Sequence, residues 1–208
     1  IIKYNNNNKY LKKGISITPL KFGISFTTTF LNQGGALVNI YTDGSVQLNH
    51  GGVEMGQGTY TKIAQIAANE LGIPFDKIKI TSTNTSKVPN TSASAASATT
   101  DINGAAVIDA INKIKINLHT FIKKKYNLDI NNVKYNNELI KFKTKTFKFK
   151  DLIMEAYLNR IPLFSSGFYS TPKIHFDKNT FTGKPFYYFA YGAAVSEVLI
   201  DTLTGENK

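Results

Sequence analysis

Four of the chain's 15 glycines, Gly51, Gly52, Gly56 and Gly58, stand within eight residues of one stretch, HGGVEMGQGTYTKIAQIAANELGIP (His50–Pro74). From Thr59 the pattern changes period. Ile63, Ile66, Ala67 and Leu71 recur at helical spacing, and Gly72 with Pro74 ends the run. Glycine takes backbone angles closed to other residues and lets a ligand approach the main chain. The first turn of a helix adds free N–H groups and the positive end of a dipole. Gly56-Gln57-Gly58, with Thr59 and Thr61, therefore either forms an anion site or serves only the turn. Gln57, held between two glycines, can aim its amide at an oxo or carbonyl group. No Lys-Ser/Thr follows the glycines, and their spacing matches neither a Walker loop nor a dinucleotide fingerprint.

A second segment, VPNTSASAASATTDINGAAV (Val88–Val107), strings small residues together before another helix. Small side chains at a helix start expose backbone N–H groups and leave room for a bulky ligand. Two such segments in one chain read as two walls of one pocket.

The remaining pattern is mixed. Ile1–Lys13 is polar and reads as a frayed segment or linker. Gly14–Phe30 reads as a strand. Ala36–Thr42 and Ser45–Asn49 read as a hairpin about a tight primed turn at Asp43-Gly44. Ile78–Thr83 is a further strand, and Val88–Thr100 a loop. Ala106, Ala110, Ile114, Leu118 and Phe121 mark one face of a long helix. Lys134–Lys150 reads as a hairpin bent at Asn136-Asn137, with a bulge or strand end at Thr146-Phe147. Asp151–Asn159 is a short helix, and Phe186–Asp201 is extended before a turn at Thr204-Gly205. The order β, ββ, α, β, α, ββ, α, β predicts an α+β fold of mixed sheets with packed helices, without the alternation of a doubly wound sheet. The expected organisation is a linker at 1–13 followed by one domain at 14–208.

The formal charge of +11 invites a nucleic-acid partner, but its distribution argues against one. Eleven lysines between Lys113 and Lys150 face only Asp129 and Glu138, and Arg160 is the sole arginine. Sequence readers of DNA rely on arginine. This face is read as solvated lysine, with a polyanion surface or an acidic docking partner as the alternatives. No apolar run reaches the ~18–20 residues of a membrane span, and Asn5–Asn8 stand where a signal peptide needs its apolar stretch. A cytoplasmic protein is expected. The absence of cysteine excludes disulfides, thiolate zinc sites and iron–sulfur clusters within this chain.

Three stretches together carry a resemblance: GGVEMGQGTYTKIAQIAANELGIP, TSTNTSKVPNTSASAASATTDINGAAV and YFAYGAAVSEVLIDTLTGENK. They resemble the molybdopterin-binding region of the molybdenum hydroxylases, the family of xanthine dehydrogenase and aldehyde oxidase. The likeness runs from about Gly14 to Lys208 and is weak from about Asn117 to Lys148. KFGISFTTTFLNQGGALVNIYTDGS and GFYSTP resemble the xanthine dehydrogenase branch. The resemblance implies part of a molybdopterin-binding domain, with a molybdenum–molybdopterin cofactor whose metal takes its equatorial ligands from the cofactor, oxygen and sulfur. It implies that Met55, Gly56, Gln57 and Gly58 line the cofactor on one side and Ser94, Ala96, Ser97 and Thr99 on the other, with the Ala96 backbone beside the metal. It also implies that Phe26 and Thr27 hold a purine, with Thr28, Leu31 and Ala95 completing that pocket. The family usually has Thr at position 94, Ser at 99 and Val at 28, so Thr28 puts a polar group into the substrate pocket.

The catalytic glutamate of the family lies in a Gly-Glu-Pro-Pro-type motif that this sequence lacks. FAD and iron–sulfur clusters belong to parts absent from the chain. The expected function is the cofactor-binding portion of an oxidoreductase that converts hypoxanthine or xanthine to urate with water as oxygen source. Its partners would be a purine or other heteroaromatic small-molecule substrate and the remainder of the enzyme, a homodimer in the full-length family, with no nucleic acid and no membrane. The alternative is an inactive remnant acting as a cofactor-binding or interaction module. Among residues that tempt, Glu54 looks like a general base but is read as structural. His50, His119 and His175 fit no metal-ligand spacing. Asp101 and Asn103 read as cap or turn hydrogen-bonders. Tyr187, Tyr188 and Tyr191 read as sheet surface and core.

Overall fold

The computed structural model describes residues 1–87 and 90–208. Val88 and Pro89, the first two residues of the expected small-residue loop, lie outside the described residues. In chain order the elements begin with α1 (Ile2–Asn7), β1 (Leu11–Ile24), β2 (Gln33–Ile40), β3 (Val46–His50), α2 (Thr59–Leu71) and β4 (Ile78–Ile80). Next come α3 (Thr99–Tyr126), β5 (Lys134–Asn136), β6 (Leu139–Lys141), β7 (Thr146–Lys148) and α4 (Phe149–Leu158). Then follow β8 (Phe164–Ser170), β9 (His175–Asp177), β10 (Thr182–Lys184) and β11 (Tyr188–Asp201). The fold class is mixed α and β, as expected. The chain divides into two compact units, Ile1–Ile24 with Tyr188–Lys208, and Ser25–Tyr187.

The larger unit is built on the sheet β4-β3-β2-β8. β2 pairs antiparallel with β3 and β8, whereas β3 and β4 are parallel. Parallel neighbours need a crossover, and α2 supplies it. This βαβ unit places the glycine loop at the carboxyl end of β3 and the start of α2, where open α/β sheets bind their ligands. The sheet and the helices bury Val38, Leu48, Ile63, Ala67, Ala106, Ala110, Ile114 and Leu118 in one core. Gly167 of β8 lies so close to α3 that a Cβ there would stand 1.9 Å from the Ala106 carbonyl oxygen.

The β2–β3 connection differs from expectation. Tyr41 donates its N–H to the Ser45 carbonyl at 2.9 Å, leaving Thr42–Gly44 as a three-residue loop. Gly44 alone among those three has positive φ, +84°. A two-residue primed turn needs positive φ at both central positions, so Asp43 instead caps the loop by accepting from the Ser45 N–H. Lys134–Lys150 also differs: it is a three-stranded sheet, β5-β6-β7. The first bend falls at Asn137 and Glu138, both with positive φ. A second turn, closed by Phe142 N–H to Lys145 C=O at 2.8 Å, accounts for the break in alternation near Thr146. β8, β9 and β10 are strands that the sequence pattern did not indicate. The final helix starts at Phe149 rather than Asp151, and β11 at Tyr188 rather than Phe186.

The smaller unit is the ribbon β1–β11, antiparallel from Leu11↔Asp201 to Ile24↔Tyr188. β1 is shorter than expected at its end: it stops at Ile24, and Thr29–Leu31 form a 3-10 turn. It also starts earlier, inside the segment expected to be frayed. Asn5 of α1 fixes that start, donating to the Lys13 carbonyl at 2.9 Å and accepting the Lys13 N–H at 2.7 Å. Tyr187, Tyr188 and Tyr191 are all exposed, which agrees with the surface part of that reading and not with the core part. Among the described residues no helix is long and apolar enough to cross a membrane.

Candidate functional site

The four glycines serve two purposes. Gly51 and Gly52 are buried because the second segment presses on them. A Cβ at Gly51 would stand 1.7 Å from Thr91 Oγ1, and one at Gly52 would stand 2.9 Å from Thr99 Cγ2. Gly56 and Gly58 have φ of +105° and +76° in an open loop, where only glycine is unstrained. The two small-residue segments thus meet. Val53 donates its N–H to Ser94 Oγ at 2.7 Å, and Gly51 donates to Asn103 Oδ1 at 3.1 Å. Asn103 is buried and also donates to the Thr99 carbonyl at 2.8 Å, which makes it a staple between segments rather than a simple cap.

The loop Ser25–Asn32 joins them. Ser25 donates its N–H to the Ala96 carbonyl at 3.4 Å. Ser25, Ala96 and Ser97 all have positive φ, 123°, 53° and 52°. Non-glycine residues in such conformations cost about 1–3 kcal/mol each and gather at functional sites. Phe26, Thr28, Leu31, Ser94, Ala96 and Thr99 are half-buried, while Thr27, Ala95 and Ser97 are exposed.

The structure answers two points that the sequence leaves open at the α2 start. The anion site there is filled from within. Glu54 Oε1 accepts the N–H groups of Gly56 at 2.8 Å and Gly58 at 2.9 Å, and Oε2 accepts that of Tyr60 at 3.0 Å. These amides, Tyr60 and Gly58 foremost, hold the carboxyl below the usual glutamate range. Gln57 does not aim outward either. Its Oε1 accepts the Met55 N–H at 2.6 Å and its Nε2 donates to the Val53 carbonyl at 2.8 Å. Met55, Gly56 and Gln57 therefore form an exposed loop tip bonded to itself, while the joint to the second segment runs through Gly51–Val53.

Beneath the loop, Thr83 Oγ1 donates to the carbonyls of His50 and Gly52, both at 2.9 Å. His50 is 1% exposed; its Nδ1 accepts the Gly52 N–H at 3.1 Å. His50 Nε2 and Thr59 Oγ1 are buried without a hydrogen-bond partner among the described residues. His119 is half-buried and bonded through Nε2 to the Tyr135 hydroxyl at 2.9 Å, a boundary position. A groove of about 1170 Å³ lies between β2, α4 and the start of β8, and none of the expected site residues lines it.

A family model described as "Molybdopterin cofactor-binding domain" matches residues 2–208. The chain belongs to this molybdopterin cofactor-binding family. It is 48% identical over 206 residues to a xanthine dehydrogenase of Oryza sativa subsp. japonica, and 48% identical over 208 residues to a xanthine dehydrogenase/oxidase of Gallus gallus. These matches cover 99% and 100% of the chain but only 14% of each relative. Quinoline 2-oxidoreductase from Pseudomonas putida 86 shares the fold at a TM-score of 0.76 and 19% identity, over 100% of this chain and 27% of that one. A reconstituted CO dehydrogenase from Oligotropha carboxidovorans aligns at a TM-score of 0.73 and 25% identity, over 96% and 25%.

The family's cofactor is molybdopterin, and the convergent segments fit it. The Gly56, Gly58 and Gln57 donors are engaged within the loop, so the groups there that suit a pterin are the hydroxyls of Ser97 and Thr99, which would hydrogen-bond its oxygens and nitrogens rather than ligate a metal directly. The Cβ position at Gly56 has no atom within 4 Å, so the open loop can take a neighbour close to its backbone.

Sequence reasoning missed Asn32, Thr83 and Thr91 and the clamping role of Asn103. An asparagine directly before a strand, as in FLNQGG, is the one local signal, since Asn bonds backbone groups nearby.

Proposed function

We propose that this chain holds molybdopterin between the Met55–Gly58 loop and the start of α3, and presents a purine to it within a xanthine-dehydrogenase-like oxidoreductase. The convergence of Ser25–Asn32, Gly51–Gly58 and Thr91–Asn103, with three strained residues among them, carries the proposal. Identity of 48% to xanthine dehydrogenases across the chain favours the purine branch. In this account Met55, Gly56, Gln57 and Gly58 face Ser94, Ala96, Ser97 and Thr99 across the cofactor, with Ala96 nearest the metal. Phe26 stacks on a flat ring, Thr27 hydrogen-bonds an oxo substituent, and Thr28, Leu31 and Ala95 close the pocket.

Conversion of a purine C–H and a water to a C–OH releases two protons and two electrons. The cofactor, when bound, would supply the two-electron acceptor. This chain's residues bind and orient. Glu54 is a poor base, because its oxygens already accept three N–H groups. A base and the electron carriers come from the rest of the enzyme, a cytoplasmic homodimer in this account. The isolated chain, supplied with molybdopterin, xanthine and a dye acceptor, is expected to form no urate. Assembled with the rest of the enzyme it is expected to form urate, and Gln57→Ala, which removes the bonds holding the loop tip to the Met55 N–H and the Val53 carbonyl, to retain less cofactor and turn over more slowly. Urate from the isolated chain, or full activity in the assembled variant, would contradict the proposal.

A further inference from the structure

The chain leaves β1 after Ile24, so Phe26 has no strand neighbour for its backbone. One side chain takes that place. Asn32 Oδ1 accepts the Phe26 N–H at 2.8 Å, and Asn32 Nδ2 donates to the Phe26 carbonyl at 2.9 Å. The same Nδ2 donates to the Thr29 carbonyl at 3.1 Å. The Asn32 main chain completes the clasp: its N–H donates to the Thr29 carbonyl at 3.0 Å, and its carbonyl accepts the Thr171 N–H at 2.9 Å. Asn32 is 2% exposed, and every polar group of its side chain is used inside the loop. Buried, fully satisfied polar groups specify one conformation, because each alternative leaves them unpaired.

We infer that Asn32 is a positioning residue that closes the Phe26–Leu31 loop and so sets the direction of Phe26, Thr27, Thr28 and Leu31 toward a flat heteroaromatic substrate. This rests on the substrate role given to that loop above. The fit is specific to an amide. Aspartate has the same shape, but as a carboxylate it sets negative oxygen against the carbonyls of Phe26 and Thr29. Protonated, it regains one donor. Leucine has nearly the same volume and no hydrogen bond at any pH.

Amide hydrogen exchange of the whole chain, read as protection factors, tests this. Asn32→Asp and Asn32→Leu at pH 7.5 are expected to lower protection across Phe26–Leu31 by at least about tenfold, with α3 amides unchanged. Burial against two carbonyl oxygens raises the pKa of an aspartate at this place above the ordinary carboxylate range, so at pH 5 Asn32→Asp regains part of its protection and Asn32→Leu does not, a contrast that simple loss of packing would not produce. Asn32→Ser, with one hydroxyl at the same place, carries the test if both unfold. Unchanged loop protection in the folded variants, or identical pH behaviour of Asp and Leu, overturns the inference. Added xanthine separates it from the functional proposal. Xanthine is expected to protect the loop in the wild type and not in Asn32→Asp. A wild-type loop that ignores xanthine but opens in Asn32→Asp upholds the clasp and overturns the purine assignment. An opened loop that still responds to xanthine as the wild type does overturns the positioning role.

Discussion

His50 shows how tightly the floor of the glycine loop is built. Its Nδ1 accepts the Gly52 N–H, which puts the ring proton on the buried Nε2. Burial pulls its pKa down to about 4, against a smaller upward pull from Glu54. In the unfolded chain the ring titrates near the ordinary ~6.5. Falling pH therefore protonates the unfolded state first, so the stability held by neutral His50 is complete above ~6.5 and drains away toward pH 4. Wild-type stability is predicted to fall by about 2–3 kcal/mol between pH 7.5 and 4.5 from this residue. His50→Asn keeps an acceptor for Gly52 and does not titrate, so urea titrations should show a flatter pH dependence by that amount. Parallel curves for the two proteins would remove His50 from this role. A solitary histidine before Gly-Gly announces none of this. Its pKa is set by burial, and what buries it, including Tyr60 packed edge-on at 5.0 Å, is brought there by the fold and by no local pattern. Glu54 was legible as a structural carboxylate, but its three N–H partners depend on how the loop curls.

Helices α2 and α3 were legible because each keeps an apolar stripe at helical spacing along its buried face. β8 was not. FSSGFYS is rich in serine and lacks a run of β-branched residues, so nothing in it announces a strand, yet it is the edge strand beside β2. Its logic is close approach: Ala106 and Ala110 of α3 and Gly167 of β8 remove the side chains that would hold the backbones apart. A Cβ at Gly167 would meet the Ala106 carbonyl oxygen at 1.9 Å and the Ala110 nitrogen at 2.6 Å, both backbone atoms that cannot turn aside. Gly167→Ala is predicted to cost roughly 2–4 kcal/mol in thermal unfolding. Gly34→Ala is the comparison, because its Cβ meets Ile102 Cγ2 at 2.6 Å, a side-chain atom rather than backbone. It is predicted to cost less than Gly167→Ala. Equal costs would mean that α3 and β8 are not packed backbone to backbone. The 137–138 bend and the loop at Thr42–Gly44 escaped for another reason. Turn type depends on which residues pair, and Asn-Asn or Asp-Gly fixes only the neighbourhood of the turn.

At the scale of the molecule, the chain spans 14% of the length of the xanthine dehydrogenases it matches, and in the proposed function its share is to bind and orient. The central claim is that the glycine loop and the start of α3 hold molybdopterin between them. Gly58 and Ala96 probe the two sides. A Cβ at Gly58 meets nothing closer than Lys62 Cε at 3.9 Å, so valine there projects into open space, though φ of +76° adds strain. Ala96 is half-buried where Ser25 donates to its carbonyl. Lys143, exposed in the turn between β6 and β7, is the control. The measurement is molybdenum per polypeptide, by elemental analysis of the chain assembled with the rest of the enzyme, with circular dichroism to show that each variant folds. Gly58→Val and Ala96→Leu are each predicted to lose the metal, and Lys143→Leu to retain it. Wild-type molybdenum in both folded pocket variants would contradict the account and leave the glycines serving only the turn.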